Sequence, residues 1–451
     1  MQRNLGDEKS LKNSVGQRGI NNGSWQRSGG SPAFFWLATF YFVYCARPED
    51  WIPGLRYLPL AKISGVFALL ALLFSIGRIK RAFRDLPREA TYLLVMIGLL
   101  FPSALLSPVW KGGAFAHSLD FSKVYIIWIL TFLLITDFAK LRRIIFIQAG
   151  SVAVVSVVSV LNGRSHPRLE GALGGIYSNP NDLAFAIVLS LPFCLAFMLS
   201  GRGLMRKLAW SASILVMFAA LFLTASRGGF ITLLIAGAVC LWHFGIKGRR
   251  IYLIFLTAVI GVVLWIFAGK ILIERFVAIQ GGPNVYSAYG SYQQRRQLID
   301  IALQGIAAHP IFGVGVHNFA NYSGLWREVH MTYLQIGVEA GLPVMVLYLL
   351  FIWRGFANLK RLRKMPGLDA NTRMFVAALH SSQVGFVVGA CFAPEAYQYF
   401  PYFAVAYTSV LVAIEVEKQR AAEGSLRESV RTPLRNQLPV SKRKNELTFV
   451  R

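Results

Sequence analysis

"HMTYLQIGVEAGLPVMVLYLLFIWRGFANLKRLRK", residues 330–364, decides the fold. Its apolar stretch, 331–353, is long enough to cross a bilayer core of about 30 Å, which takes roughly 20 apolar residues in a helix. The stretch ends in a burst of Lys and Arg and begins at a histidine. The basic end marks the cytoplasmic side, because loops held against the anionic inner leaflet collect Lys and Arg. His330 therefore stands at the opposite, outer boundary.

The rest of the chain repeats the pattern. Of its 451 residues 55% are hydrophobic and only 15% charged, against about 25% charged in soluble domains. Further apolar segments lie near 32–46, 61–77, 90–107, 122–138, 143–161, 182–200, 207–225, 229–245, 250–268, 374–392 and 398–416. The expected fold is all-α, a polytopic membrane protein with about 12 transmembrane helices. "RIKRAFRDLPRE", "KLRR", "GRGLMRK", "IKGRR" and "RGFANLKRLRK" all fall on one side, while "SPVWKGGAFAHSLD" and "APEAYQY" fall on the other. The net charge of +26 thus reads as positive-inside topology, and nucleic acid is not an expected partner because no basic-aromatic module is visible.

Five regions follow. Residues 1–30, polar and without the apolar core of a cleaved signal, read as a disordered cytoplasmic tail. Helices 1–9 occupy 31–268, and 269–330 form one long extracytoplasmic loop. Helices 10–12 occupy 331–416, and 417–451 form a basic cytoplasmic tail. Both termini are then cytoplasmic. Within the loop, "SYQQRRQLIDIALQGIAAHP" (291–310) spaces Leu298, Ile301, Ala302 and Gly305 as one helix face, so the loop is folded. The four cysteines, Cys45, Cys194, Cys240 and Cys391, show no disulfide or zinc spacing.

Three cationic features lie on the outer side. Arg227 sits in "LTASRGGF" (223–230) between two apolar runs, either snorkelling at a helix end or functional. Arg295 and Arg296 stand side by side in the loop helix, and His330 closes the loop. Guanidinium groups grip phosphate oxygens in bidentate fashion, and imidazole, with an ordinary pKa about 6.5, accepts a proton from a hydroxyl near neutrality. Together they suit a ligand with a phosphate and a reacting hydroxyl. No HExxH or similar spacing appears among the histidines, so no metal and no other cofactor is expected.

The order "GGIYSNPNDLAF" (174–185), "LTASRGGF", "RRQLIDIALQGIAAHPIFGVGVHNF" (295–319) and "VHMTYLQIGVEAGL" (329–342) resembles the O-antigen ligase and polymerase superfamily over roughly residues 30–415. The resemblance implies a glycosyltransferase of the bacterial inner membrane. Its donor would be a glycan on undecaprenyl diphosphate, and its acceptor a hydroxyl of lipid A-core, a polysaccharide or a protein. It also implies that Arg227 and Arg295 hold the diphosphate and that His330 activates the acceptor. The family often has Asn after that histidine; here Met331 follows, so no amide role is carried over. Asn179, Asn181 and Asp182 read as a turn and helix cap or as substrate contacts, "HPIFGVGVHNF" as mainly a structural turn, and Glu339 as a partner for a loop arginine or a helix dipole. The rival reading is a membrane transporter, disfavoured by the scarcity of ionisable residues at helix centres.

Overall fold

The computed structural model describes residues 31–52, 54–55, 57–75, 81–162, 169, 175–177, 179–262, 266 and 286–437. The 1–30 tail, residues 269–285 of the long loop and residues 438–451 lie outside the described residues. Among those described, the chain is all-α. Eight helices are long and apolar enough to span a membrane, and three shorter apolar helices accompany them.

The first half runs α1 (Pro32–Ala46), α2 (Leu60–Leu73), α3 (Arg88–Leu105), α4 (Lys111–Leu134), α5 (Phe138–Asn162), α6 (Pro180–Ser200), α7 (Leu204–Thr224) and α8 (Arg227–Leu241), then α9 (Tyr252–Val262). A π-turn, Trp242–Ile246, extends α8. The loop helix α10 (Tyr286–Ala308) leads to α11 (Thr332–Ala340), α12 (Leu342–Lys364), α13 (Ala370–Gly389) and α14 (Phe400–Gln437). α14 runs well into the segment expected to be a tail. Likewise, α4 begins at Lys111, which puts His117 and Asp120 on a helix rather than in a connection.

Burial sorts these helices. α6 and the apolar part of α14 are buried along most of their length and form the centre of the bundle, with α13, α5 and α12 packed around them. α7, α8 and α9 are peripheral: Leu215, Leu234, Phe255 and Val262 point outward from them. In water such exposure would be costly; in a bilayer it is the surface the lipid covers. An apolar cleft of ≈ 360 Å³ opens between α6, α7, α8 and α9, lined by residues such as Leu191, Phe218, Leu233 and Leu256.

The single helix expected over 331–353 is broken in two. Gly341 has φ +88°, a Cβ there would lie 2.1 Å from the carbonyl oxygen of Ile311, and the Leu342 amide donates to the carbonyl of Pro310 at 2.8 Å. The chain can turn there only because glycine tolerates that φ and has no side chain. The spanning helix is thus α12, eleven residues further on than the apolar run suggested. α11 is a nine-residue helix, about 14 Å long and too short to span.

α11 belongs to a small body of its own. Leu298 and Ala302 of α10 bury against Val314, Phe319, Val329 and Val338, with Ile301 packed beside them, so the expected helix face is the one that packs. The "FGVG" turn satisfies the end of α11: Val314 and Gly315 amides donate to the carbonyls of Val338 and Glu339, both at 2.8 Å. Buried helix ends need such partners.

The two ends of the bundle differ. At one end the basic segments meet: Arg81 bonds Glu417 at 2.6 Å and the carbonyls of Phe132 and Ile135, and Arg354 reaches Glu89 at 3.2 Å. At the other end the poorly basic connections meet. The Tyr177 hydroxyl donates to Cys45 O, and Asn318 Nδ2 donates to Ser107 Oγ, each at 2.8 Å. All the motifs picked out above lie at this second end.

Candidate functional site

Asn179 caps α6 by accepting from the Asn181 amide at 2.9 Å, with Pro180 in the first turn. Asn181 then accepts from Ser226 Oγ at 2.7 Å, while the same Ser226 oxygen caps α8 by accepting from the Gly229 amide at 3.1 Å. One serine therefore ties "SNPND" to "TASRGG". Gly228 and Gly229 let the segments close: a Cβ on Gly228 would stand 2.6 Å from Phe392, and one on Gly229 2.7 Å from Ala184. The asparagines thus act here as cap and tie. Arg227, the first residue of α8, is held by this arrangement at the end of the bundle.

Arg295 of α10 comes to the same place. Burial lowers its pKa and the neighbouring Arg227 charge lowers it further, although it stays cationic. Its Nε is buried with no hydrogen-bond partner among the described residues. Arg296, one residue on, is exposed to solvent. His330 completes the group. Burial, then the Arg295 charge, pushes its pKa down to about 4, with Glu328 opposing and Arg327 adding to the effect. The ring is therefore neutral at physiological pH, and its Nδ1 has no partner. Two guanidinium groups crowd each other beside a neutral imidazole, and Arg295 Nε and His330 Nδ1 are left without a partner among the described residues. Single atoms of this kind also occur in the scaffold, at Glu89 and Arg81 for example; their gathering beside two like charges is what marks this place as one where something else binds.

Among the described residues Glu339 makes no ion pair with a loop arginine. It is 1% exposed and accepts from the Phe319 amide at 3.4 Å, and the Tyr397 hydroxyl stands against its carboxylate without a well-aligned hydrogen bond. Burial raises its pKa to about 7, with His317 the opposing charge. Asp182, in the first turn of α6, also has a buried oxygen, Oδ1, without a partner.

Sequence reading missed several neighbours. His317 has φ +57° and stands between the rings of His117 and Tyr397, with centroids at 4.6 and 5.0 Å. Its Nδ1 faces Glu328 Oε1 at 3.5 Å, and that pairing raises its pKa against the effect of burial. Glu395, in the α13–α14 connection, is 4% exposed; burial raises its pKa well above the usual carboxylate range, and Asp182 and Glu328 add to the shift. The available signal was slight: Glu395 is the one carboxylate in an outer connection, "APEAYQY", free of Lys and Arg.

Thr332 binds this connection to α11. Its hydroxyl donates to Ala393 O at 2.7 Å and accepts from the Glu395 amide at 3.0 Å. His330 and Glu395 are thereby anchored through one residue.

Residues 212–349 match the O-antigen ligase family. This bears out the resemblance to the O-antigen ligase and polymerase superfamily and supports a glycan-transferring role in a membrane. The matched stretch includes Arg227, Arg295, His330 and Glu339, and excludes Asp182 and Glu395. None of the curated proteins matches the chain.

Proposed function

We propose, with the O-antigen ligase match as premise, that the protein transfers a glycan from a polyprenyl diphosphate to an acceptor hydroxyl at the outer face of a bacterial inner membrane. The observation that carries this reading is the convergence of Arg227, Arg295 and His330, from three separate segments, at the end of the bundle that lacks basic loops. Undecaprenyl diphosphate is the donor lipid the family implies. Lipid A-core, a polysaccharide and a protein are the acceptors it implies.

The chemistry asks for charge and position. Arg227 and Arg295 meet the diphosphate, and their mutual repulsion is relieved when anionic oxygens come between them. His330, neutral and with a lone pair free to accept, takes the proton as the acceptor oxygen attacks the anomeric carbon. The anomeric carbon–oxygen bond to the diphosphate breaks on the opposite face, giving inversion. The arginines stabilise the charge that develops on the departing diphosphate. A prenyl diphosphate is already a good leaving group, so no further activation is required. The apolar cleft supports the lipid part of the reading: Leu233, which lines it, lies six residues along α8 from Arg227, roughly 9 Å below the head-group position.

Transfer by the purified full-length chain in nanodiscs tests this, with a synthetic polyprenyl-diphosphate sugar as donor. Wild-type turnover that collapses in Arg227→Lys and His330→Ala is the expected result. Undiminished turnover in both variants would remove these residues from the mechanism.

A further inference from the structure

The apolar cleft between α6, α7, α8 and α9 has two ends. Val188, Phe218 and Leu233 line the end nearer Arg227, where the donor chain enters in the reading above. Met198, Ser211, Leu241 and Leu253 line the other, and there each helix runs out into basic sequence. Lys207 stands four residues from Ser211 on α7, on the same helix face and about 6 Å along the axis. Arg250 lies one turn before Leu253, whose amide donates to the Arg250 carbonyl at 2.9 Å. Arg202 follows the end of α6, four residues beyond Met198, and Lys247 follows the π-turn that extends α8. Both connections thus bring cations to the mouth of the cleft at the basic end.

No carboxylate in these four helices answers those charges. From Leu183 to Val262 the sequence holds Arg202, Arg206, Lys207, Lys247, Arg249 and Arg250, with Arg227 at the far end, and no Asp or Glu at all. Elsewhere at the basic end carboxylates are supplied, as Glu89 is to Arg354 and Glu417 to Arg81. The cations here are also interleaved with apolar side chains that point outward: Met205, Leu208, Trp242, Ile251 and Phe255 are each at least 50% exposed. Basic residues alternating with exposed apolar and aromatic ones belong at the head-group level of a bilayer. A soluble anion would match the rim and leave the cleft unmatched, and an uncharged lipid would do the reverse. An amphiphile with a negative head matches both.

We propose that this end of the cleft binds an anionic phospholipid of the leaflet at the basic end, with its phosphate at Arg202, Lys207, Lys247 and Arg250 and an acyl chain between the four helices. By the positive-inside rule that leaflet is the inner one. A zwitterionic lipid carries a cation of its own to a rim that holds only cations, so net negative charge is what the site selects. The proposal does not depend on the glycosyl-transfer reading. It does bear on α8, a peripheral helix that carries Arg227 at its other end: a lipid chain lying against Leu241 and Met198 joins α8 to the central helix α6.

Native mass spectrometry of the full-length chain in detergent tests the proposal, with phosphatidylglycerol and phosphatidylcholine of identical acyl chains as the probes. A one-to-one phosphatidylglycerol adduct is expected, favoured roughly tenfold or more over phosphatidylcholine, as a few Lys and Arg at a membrane surface imply. Lys207→Gln combined with Arg250→Gln should erase most of that preference. Gly237→Leu keeps every charge and fills the cleft instead: Gly237 lines it, and a Cβ there would meet nothing within 4 Å. This variant should lose the adduct with the rim intact. Equal adducts for the two lipids in the wild-type chain would overturn the proposal. An undiminished phosphatidylglycerol adduct in Gly237→Leu would reduce it to surface attraction and overturn it as well. Displacement by inorganic phosphate would assign the rim to a soluble anion, and displacement by a polyprenyl phosphate would assign the whole cleft to the donor; either result sinks the phospholipid site. Arg227→Lys should leave the adduct unchanged whatever it does to turnover, so this site and the glycosyl-transfer reading stand or fall separately.

Discussion

The two ends of this bundle use charged residues in opposite ways. At the basic end the buried charges meet opposite charge: Glu89 accepts from Arg354 and Asn358, and Arg81 donates to Glu417 and to two backbone carbonyls, although Glu89 Oε2 and Arg81 Nη2 stay without a partner. At the motif-bearing end Arg295 meets the like charge of Arg227, beside the unpartnered Nδ1 of His330. Opposite charges join helices; like charges brought together are kept for something that arrives later. Both ends are polar and both keep unfilled atoms, so neither property alone would tell scaffold from site. The sign of the neighbouring charge does.

The largest effect that tests this contrast is the orientation itself, which is all or none. A cysteine introduced as Ser287→Cys should react with a membrane-impermeant maleimide in cells with a permeabilised outer membrane. Protection until the inner membrane is lysed would invert the assignment of the two ends. Next comes His330→Ala, expected to lower turnover by roughly 10²–10⁴ with the folded fraction intact. Retention of full turnover would reduce the ring to a residue at the start of a helix.

The opposite behaviour is expected at the basic end. Glu89→Ala leaves Arg354 and Asn358 without their shared partner, and removing one member of a buried pair costs about 3–5 kcal/mol; about 2–3 is expected here because Arg354 reaches solvent. Thermal unfolding in detergent should show this loss, while turnover per folded molecule stays at the wild-type value. A fall in turnover alone would erase the distinction between the ends. Arg295→Ala should weaken donor binding by about 1.5–3 kcal/mol, as for a lost charge-assisted hydrogen bond. Isothermal titration with a prenyl diphosphate reads this directly.

The smallest effect concerns pH. With its pKa pushed down to about 4, His330 loses its proton-accepting lone pair only below that pH. The acid limb of kcat/KM should therefore fall as pH drops through about 4, with no His330 limb at 6.5. Glu339, raised to about 7, ionises near neutrality, so an inflection there should vanish in Glu339→Gln. An inflection near 6.5 abolished by His330→Gln would show that the ring is more solvated than its surroundings indicate.

Most of the architecture was legible because membrane helices are written in long apolar runs and their direction in Lys and Arg. The break at Gly341 was not. Its apolar flanks read as one run, and the turn depends on a contact with Ile311 thirty residues back. In the candidate site, Arg227, Arg295 and His330 were visible because cations on the side that excludes them are anomalous. The groups that gather near them were hidden for the opposite reason. Glu328, Glu395 and Tyr397 are unremarkable in outer connections, and only the folded chain brings Glu395 beside Asp182. His317 looked like part of a turn because its neighbours in sequence, Gly313 and Gly315, are.

The glycine at 341 also sets a length. Were the turn removed, as Gly341→Ala would favour, residues 332–364 could continue as one helix roughly 50 Å long, against a hydrocarbon core of about 30 Å. A bilayer accommodates such an excess by tilting the helix or thickening locally. Tilt would swing the His330 end sideways by many ångströms, while Arg227 stayed fixed on α8. The interruption thus uncouples the position of His330 from membrane thickness, so lipids of different chain length could solvate the bundle without moving that ring relative to the arginines.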